Sequence, residues 1–367
     1  MKIVCSKSKF STAISIVLKA VSNKTTMPIL ECILIEAQGD NIKLTANDME
    51  LGIETFVDGE VIEPGRIALE AKLLSEIVRK LPDNNITIET DDTYQTVIRC
   101  EKSKFKISGK EGSDFTELPE IEKDKFITIS QFTLKEVIRQ TIFSTSDNEN
   151  NILMTGELFE INEDKLKVVS LDGHRISIRN INLKENYGFN KVIVPGKTLN
   201  EISKILTGEI EDEVKIYFTS KHILFEFDQT KVLSRVLEGE YYKISQMLSS
   251  DYETKIDINK KEFLECIDRS TLLIKESDKK PIILNVTSDN IELKINSTMG
   301  SLKEEVEIKK EGKDIMIGFN PRFLMDALKV IDDETISIYM VNPKAPCVIK
   351  DNKESYIYLI LPVNFNI

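Results

Sequence analysis

The pattern of hydrophobic and polar positions repeats three times along the chain, and each time it predicts the same order of elements. Each third opens with a short alternating strand and continues with apolar residues four positions apart, which fall on one face of a helix. In the first third the strand is 2–5, and the helix carries Phe10, Ile14 and Val17. The counterparts are 126–129 with Leu134 and Ile138, and 256–258 with Phe263 and Ile267.

Further strands with period-two alternation follow in each third. They are predicted at 29–36, 42–45 and 86–89, at 158–161, 166–170 and 214–218, and at 282–286, 291–295 and 336–340. A second helix is predicted inside each set. Strands of this kind with two helices form an antiparallel sheet covered on one face, so the predicted fold class is α+β.

The second helix of each third carries the same charge motif at a fixed spacing of 125 residues. Its first copy contains Lys72, Leu74, Glu76 and Arg79, and the others contain Lys197, Leu199, Glu201 and Lys204, and Arg322, Leu324, Asp326 and Lys329. Helix positions seven apart differ by roughly 20° around the axis, so both cations of a copy point the same way. The alternative is an ordinary solvated face, because an acid four residues after a base stabilises a helix by about 0.2–0.5 kcal/mol.

A second segment recurs at nearly the same period and supports a true triplication. It reads Asp40-Asn41-Ile42-Lys43-Leu44, then Asp164-Lys165-Leu166-Lys167-Val168, then Asp289-Asn290-Ile291-Glu292-Leu293. The polar stretches 117–124 and 249–251 read as connectors between repeats. We therefore predict three domains, at 1–123, 124–248 and 249–367.

Composition narrows the class of protein. No run approaches the ~20 apolar residues of a membrane span, and the early lysines do not suit an export signal, so a cytoplasmic protein is expected. The five cysteines are scattered without a C-x-x-C pair, which predicts reduced, buried thiols and neither a disulfide framework nor a metal site.

Charge is distributed unevenly. The chain has 49 basic and 61 acidic residues and a net charge of −12, yet the acids gather in loops such as 209–213 and the bases on the predicted helices. Repeated cation stripes suit a cylinder around a duplex, where lysine contacts phosphate without reading sequence. The cations that we predict to face the duplex are Lys19, Lys24, Lys72, Arg79, Lys135, Arg139, Lys197, Lys204, Arg269, Arg322 and Lys329.

These residues resemble those of a known family, the bacterial sliding clamp or beta subunit of DNA polymerase III. The similarity runs over the whole chain, and its strongest local matches are Met27-Pro28-Ile29-Leu30, Asn47-Asp48-Met49-Glu50, Leu171-Asp172-Gly173-His174-Arg175, Ile193-Val194-Pro195-Gly196-Lys197, Ile317-Gly318-Phe319-Asn320 and Leu361-Pro362-Val363.

The resemblance implies a processivity factor without catalytic activity or cofactor. Three copies of a clamp fold, with sheets outside and two helices per copy lining a ring, are expected in each chain. Two chains would join head to tail around double-stranded DNA and tether the replicative polymerase, the clamp loader and repair proteins.

The resemblance also implies two protein-binding sites. At the seam between chains, Phe105 and Ile107 would meet Leu272 and Leu273 of the other copy, with Lys102 and Lys104 near Glu304 and Glu305. For the two leucines, ordinary core positions are the alternative. A pocket for short peptides containing Gln and Leu or Phe would be lined by Met154, Leu171, Gly173, His174, Arg175, Ile176, Tyr242, Met247, Pro346, Leu359, Leu361, Pro362 and Val363, with His174 and Arg175 at its rim.

The chain departs from the family near this pocket. Gly239-Glu240 runs into Tyr241-Tyr242 where an aromatic followed by proline is usual, and the end of the chain lacks the arginine often found after Leu-Pro-Val.

Two other functional classes are considered. A hydrolase would need Ser170, Asp172 and His174 in contact, but along a strand they stand ~6–7 Å apart. A repeat scaffold that binds proteins and no nucleic acid would share the fold, and differs in whether the helix cations converge.

Overall fold

The computed structural model describes residues 1–22, 25–245, 247–248, 251–275 and 280–365. Contacts divide the chain into two compact units. Unit 1 comprises Met1–Leu134 and Asn200–Val236, and unit 2 comprises Lys135–Leu199 and Leu237–Ile367. Each unit therefore contains part of the predicted middle repeat.

Six α-helices lie in the described part of the chain, two in each third. They are α1 (Lys7–Val17), α2 (Ala71–Lys80), α3 (Gln131–Thr141), α4 (Gly196–Ile205), α5 (Lys260–Thr271) and α6 (Pro321–Val330). The helices with the cation motif, α2, α4 and α6, begin at intervals of 125 residues. The predicted helices and their period are confirmed.

The strands repeat in the same way. The first third has β1 (Lys2–Ser6), β2 (Cys32–Gln38), β3 (Asn41–Asn47), β4 (Leu51–Val57), β5 (Gly59–Glu63), β6 (Gly65–Glu70), β7 (Asn85–Thr90), β8 (Gln95–Cys100), β9 (Ser103–Ser108) and β10 (Lys110–Glu111). The second has β11 (Phe126–Ser130), β12 (Gly156–Asn162), β13 (Lys165–Leu171), β14 (Arg175–Asn182), β15 (Phe189–Pro195), β16 (Glu213–Phe218), β17 (His222–Phe227) and β18 (Thr230–Arg235). The third has β19 (Thr254–Asn259), β20 (Ile282–Val286), β21 (Asn290–Ser297), β22 (Gly300–Gly312), β23 (Ile315–Phe319), β24 (Thr335–Met340), β25 (Cys347–Lys350) and β26 (Tyr356–Ile360).

Every strand pairing is antiparallel, as predicted. Unit 1 has a five-stranded sheet in the order β5-β1-β7-β8-β9 and a nine-stranded sheet in the order β10-β6-β2-β3-β4-β18-β17-β16-β11. Unit 2 has a twelve-stranded sheet in the order β15-β12-β13-β14-β26-β25-β24-β19-β22-β21-β20-β23. Strands from neighbouring thirds therefore join edge to edge, at β4–β18 in unit 1 and at β14–β26 in unit 2.

One local prediction needs correction. The strand predicted at 29–36 begins only at Cys32, because Pro28–Glu31 forms a 3₁₀-helix. Proline fixes φ near the helical range and suits the first position of a helical turn. The structure also adds β22, a strand that was not predicted. It pairs with β21 through its first part and with β19 through its end.

Apolar side chains of the helices are buried in the hydrophobic cores. In unit 1, Phe10, Ile14 and Val17 of α1 are buried together with Leu74 and Val78 of α2. Burying side chains of this size contributes about 1.5–3 kcal/mol each. The five cysteines are free and buried. Among the described residues there is no metal-holding group of His, Cys, Asp and Glu side chains, and no helix long and apolar enough to cross a membrane.

Candidate functional site

The cation stripe of α2 lies opposite its buried face. Glu70 caps the helix by accepting hydrogen bonds from the backbone N–H groups of Lys72 (3.1 Å) and Leu73 (2.8 Å). Leu74 and the other apolar residues of this face are buried. Lys72 and Arg79 are exposed. The helix therefore presents two cations to solvent, as the sequence predicts.

The stripe of α6 is built in the same way, with Asn320 as its cap. The Asn320 Oδ1 accepts from the Arg322 N–H at 3.0 Å, and Pro321 occupies the first turn. Arg322 and Lys329 are exposed. Asp326, the acid four residues after Arg322, pairs instead with Arg175.

An ordinary salt-bridged helix face therefore does not describe α2 or α6. In the chain as far as it is described, Lys72, Arg79, Arg322 and Lys329 have no carboxylate within 4.0 Å. Four uncompensated cations on two equivalent helices favour an anionic partner.

Lys204 and Arg139, two other predicted cations, pair with acidic residues of the same chain, and so does Arg269. Lys204 contacts Glu201 at 2.7 Å on α4. Arg139 hydrogen-bonds Glu136 and Asp332, and the Glu136 bond is the first cause of its raised pKa. Of the remaining cations, Lys197 is exposed, Lys19 and Lys135 are half-buried, and Lys24 lies outside the described residues.

The Arg269 guanidinium is bound by Glu304 through two hydrogen bonds, of 2.7 and 2.5 Å. These bonds raise the pKa of Arg269. Glu304 was expected to face Lys102 and Lys104 across a seam, and the structure gives its carboxylate a partner within the same chain.

The residues predicted for the seam are differently exposed. Leu272 follows α5 and is 75% exposed. Leu273 is half-buried against the core of the last repeat, so for this residue the core alternative holds in part. Phe105 and Ile107 lie on β9, the outermost strand of the five-stranded sheet, where the backbone edge is available for pairing.

The predicted pocket residues all belong to unit 2, and some of them lie in or against an apolar cluster. Leu171, Ile176 and Leu359 are buried in it, and Met154 packs against it. Tyr242, Met247 and Leu361 are exposed large apolar side chains. Gly173 and His174 are exposed, and Pro346, Pro362 and Val363 are half-buried.

Arg175 does not lie at the rim, and that expectation is wrong. Its side chain is 10% exposed and donates to Asp172 Oδ2 (2.9 Å), Asp326 Oδ2 (2.6 Å) and the Phe143 carbonyl (2.5 Å). The guanidinium carbon also lies 4.3 Å from the ring centroid of Phe323. Burial alone would lower the pKa of Arg175, but Tyr358 and the hydrogen bonds to Asp326 and Asp172 outweigh burial, so the pKa is raised. Arg175 therefore links β14 to α6 through the ion pair of its buried side chain with Asp326.

Residues 361–365 are held by backbone hydrogen bonds and by a close approach to Gly318. The Leu361 N–H donates to the His174 carbonyl, and the Val363 N–H donates to the Gly318 carbonyl, both at 2.8 Å. The Phe365 ring lies so close to Gly318 that a Cβ there would come within 2.6 Å of it. Any side chain at position 318 would displace Phe365.

Tyr241 was not predicted as a site residue. It is buried in the cluster, and its hydroxyl donates to the Gly156 carbonyl at 3.1 Å. Ile244 is buried with it, so residues 241–244 are anchored by two side chains. The sequence signal for this role was the pair Tyr241-Tyr242. Of two adjacent aromatic residues in this connector, Tyr241 is buried and Tyr242 is exposed.

Ser170, Asp172 and His174 form no catalytic triad. The Ser170 hydroxyl is buried and donates to the Thr141 carbonyl at 2.6 Å. Asp172 accepts from the backbone N–H groups of His174 and Arg175. The serine is therefore not presented to a substrate.

Comparison with known proteins agrees with this architecture. Models of the N-terminal, central and C-terminal domains of the DNA polymerase III beta subunit match residues 1–119, 128–243 and 245–364. The beta sliding clamp of Bacillus subtilis is 35% identical over 99% of both chains.

Solved structures give the same result. A structure from Eubacterium rectale is 64% identical with a TM-score of 0.97, and the DNA polymerase sliding clamp of B. subtilis is 34% identical with a TM-score of 0.97. The DNA polymerase beta subunit of Streptococcus pyogenes is 29% identical with a TM-score of 0.95. Each match covers 100% of both chains.

Three tandem repeats of this kind, with a cation-bearing helix in each, define a clamp. The chain belongs to the DNA polymerase III beta subunit family, the bacterial sliding clamps.

Proposed function

We propose that two copies of this chain, a processivity clamp of DNA polymerase III, close into a ring around duplex DNA. The three repeats, which we infer at 1–123, 124–248 and 249–367, would line it with their helices. The clamp would act in the cytoplasm as an accessory subunit without chemistry of its own. It would hold the polymerase, the loader and repair proteins through peptides bound in unit 2.

The unpaired cations of α2 and α6 carry the DNA part of the proposal. Lys72, Arg79, Arg322 and Lys329 are exposed on the same face of equivalent helices and have no carboxylate partner in the described chain. Lysine and arginine in such stripes contact phosphates without reading bases, so the expected binding is non-specific and salt-sensitive. The paired cations Lys204, Arg139 and Arg269 are expected to contribute less, because DNA would compete with their own acids.

Retention on circular DNA tests this assignment. Lys72→Glu with Arg79→Glu, and separately Arg322→Glu with Lys329→Glu, should each reduce loader-dependent retention on nicked circles at least tenfold while leaving the dimer intact. The control is Lys80→Glu with Lys165→Glu, which changes the same charge at two exposed lysines outside the stripes. Equal retention by the stripe variants and the control would refute the assignment and favour the protein-binding scaffold.

The apolar cluster of unit 2 supports the peptide pocket. Tyr242, Met247 and Leu361 add exposed apolar surface beside Leu171, Ile176 and Leu359, and flexible Met and Leu side chains adapt to several ligands. His174 remains available at the rim. Arg175 would stabilise the pocket indirectly, through its hydrogen bonds to Asp326 and the Phe143 carbonyl.

A labelled peptide containing Gln and Leu-Phe tests the pocket. Met247→Asp and Leu361→Asp should each weaken its binding about tenfold or more, because a carboxylate would replace apolar contact. Phe189→Asp is the matched control, since Phe189 is also exposed in unit 2 but belongs to β15. Removal of residues 361–367 should also weaken binding. Unchanged affinity in all three pocket variants would show that the pocket is misplaced.

A further inference from the structure

Unit 1 contains a cavity of about 570 Å³ between the nine-stranded sheet and the segment 117–123. This volume is within the usual range of ligand pockets. The cavity lies beside the β4–β18 junction, and the segment covers it as residues 241–244 cover the apolar cluster of unit 2. The two sites are therefore related by the internal repeat.

The segment 117–123 is attached at both ends and leaves space between. Leu118 lies directly on Gly52, where any side chain would collide with it. Ile121 packs against Tyr217, Leu224 and Leu233. Lys123 pairs with Glu226 and lies 5.1 Å from the Tyr217 ring centroid. One wall of the cavity is therefore apolar and fixed.

The sheet forms the floor of the cavity. This floor is polar, whereas the corresponding positions of the sheet in unit 2 are apolar. Residues opposite one another across β2, β3, β4 and β18 are Leu34, Thr45, Glu54 and Lys231. At the same places in unit 2 stand Leu158, Val169, Ile178 and Ile357. The same architecture thus presents a hydroxyl, a carboxylate and an ammonium group in place of three aliphatic side chains.

One floor group has no partner. Thr45 is 2% exposed, and its Oγ1 is buried without a hydrogen bond to any protein group of the described chain. Lys43 and Thr45 belong to the face of β3 opposite to the buried Ile42, Leu44 and Ala46, so the hydroxyl is on the cavity side. A buried hydroxyl of this kind is stabilised by a ligand that donates or accepts a hydrogen bond.

The charged residues that line the cavity leave one negative charge in excess, which favours a cation. Glu117 and Lys123 pair with Arg66 and Glu226, so Glu36, Glu54 and Glu120 stand against Lys43 and Lys231. Lys43 lies 2.8 Å from Glu36 and 3.6 Å from Glu54, so one ammonium group is shared by two carboxylates. Glu120 adds a further exposed carboxylate at the opening. A ligand with an apolar group next to a positive charge matches the wall and the floor together.

We propose that this cavity is a second peptide-docking site of the clamp, which takes an extended partner segment with an apolar residue beside a lysine or arginine. The apolar side chain would contact Leu118 and Ile121, the cation would approach Glu54, and a backbone group would satisfy Thr45. This site is separate from the pocket proposed in unit 2 and has the opposite polarity at its floor.

The test uses full-length dimer with labelled Leu, Ile and Val methyl groups, titrated in NMR with acetyl-Gly-Leu-Lys-Gly-amide. Shifts should appear at Leu118, Ile121, Leu224 and Leu233, and acetyl-Gly-Leu-Glu-Gly-amide should bind at least fivefold more weakly. Glu54→Gln and Thr45→Val should each weaken binding at least threefold, whereas Thr45→Ser should retain it. The control is Glu60→Gln, an exposed carboxylate on β5.

Three results would overturn the inference: equal binding of the Lys and Glu peptides, no effect of Glu54→Gln and Thr45→Val, or shifts confined to Leu171 and Leu359 of unit 2. The last result would leave the peptide pocket of unit 2 intact, so the two proposals fail independently. A failure of DNA retention likewise does not bear on this cavity.

Discussion

At the scale of single residues, the buried carboxyl group of Glu157 is the least expected feature of unit 2. Its side chain is fully buried, Oε2 accepts from the Thr141 hydroxyl at 3.0 Å, and Oε1 has no partner in the described chain. Burial raises the pKa of Glu157 well above its ordinary value. The carboxyl group is therefore neutral over a wider pH range in the folded chain than in the unfolded chain.

Linkage gives the sign of the pH effect of Glu157. Between its ordinary pKa and the raised folded pKa, the folded chain binds more protons than the unfolded chain, so this group makes stability fall as pH rises. Glu157→Gln cannot ionise and should remove that part of the slope. The expected result is a smaller loss of melting temperature between pH 5.5 and 8.5 than in the wild type. Thermal denaturation at fixed protein concentration measures it.

The control for this prediction is Glu240→Gln, because Glu240 is exposed in the loop before Tyr241. It should leave the pH profile as it is in the wild type. Identical profiles for Glu157→Gln and the wild type would contradict a role for Glu157 in the pH dependence.

The Arg175–Asp326 pair gives a second residue-scale prediction. Arg175→Met should destabilise unit 2 by about 3 kcal/mol, because removing one partner of a buried ion pair leaves the other carboxylates without their donor. Asp326→Asn should cost less, since Asp172 still holds the arginine. In the double variant the two effects should fall short of their sum by about 1 kcal/mol or more. Additive changes in melting temperature would mean that the pair does not couple β14 to α6.

At the scale of elements, apolar spacing and the 125-residue period placed the helices from sequence, and the structure adds caps that this reasoning did not use. Asn259 caps α5 by accepting from the Glu262 N–H at 3.0 Å, as Asn320 caps α6. Asn320→Ala should therefore destabilise α6 by about 1 kcal/mol, since the first N–H groups lose their acceptor. Asn320→Asp keeps an acceptor and should be close to the wild type in a thermal melt. If Asn320→Ala leaves the melting temperature unchanged, Pro321 and not the Asn320 cap fixes the start of α6.

Other elements could not be predicted from the sequence, because the local pattern of apolar and polar residues does not determine them. Pro28 shortened the predicted strand at 29–36, and only the register of β21 and β19 shows that β22 is one continuous strand. The side-chain partners were also hidden: Arg175 reads as a rim cation, yet its partner Asp326 is 151 positions away. Periodicity predicts which face is buried, whereas long-range ion pairs depend on how β-strands from different repeats join.

At the scale of the whole molecule, the proposed ring depends on a seam that a single chain cannot provide. Leu272 is the most exposed of its predicted residues, and β9 offers an unpaired strand edge with Phe105 on it. Apolar residues at such a position become the core of an interface when a second copy covers them. Leu273 already packs within its own chain, so Leu272 is the better place to test the seam.

Leu272→Asp should shift the clamp from dimer to monomer, because ring closure would then bury an unpaired carboxylate at each seam. Size-exclusion chromatography with light scattering and X-ray scattering should give about twice 41.8 kDa with a hollow profile for the wild type, and 41.8 kDa for the variant. Ile210→Asp is the control, since Ile210 is also highly exposed but lies outside the seam. If Leu272→Asp remains a dimer while Phe105→Asp dissociates, the seam uses β9 without Leu272. If both remain dimers, the ring closes through another surface.

A monomeric Leu272→Asp variant that still binds the Gln and Leu-Phe peptide would separate ring closure from partner binding, because the pocket residues all belong to unit 2 of one chain.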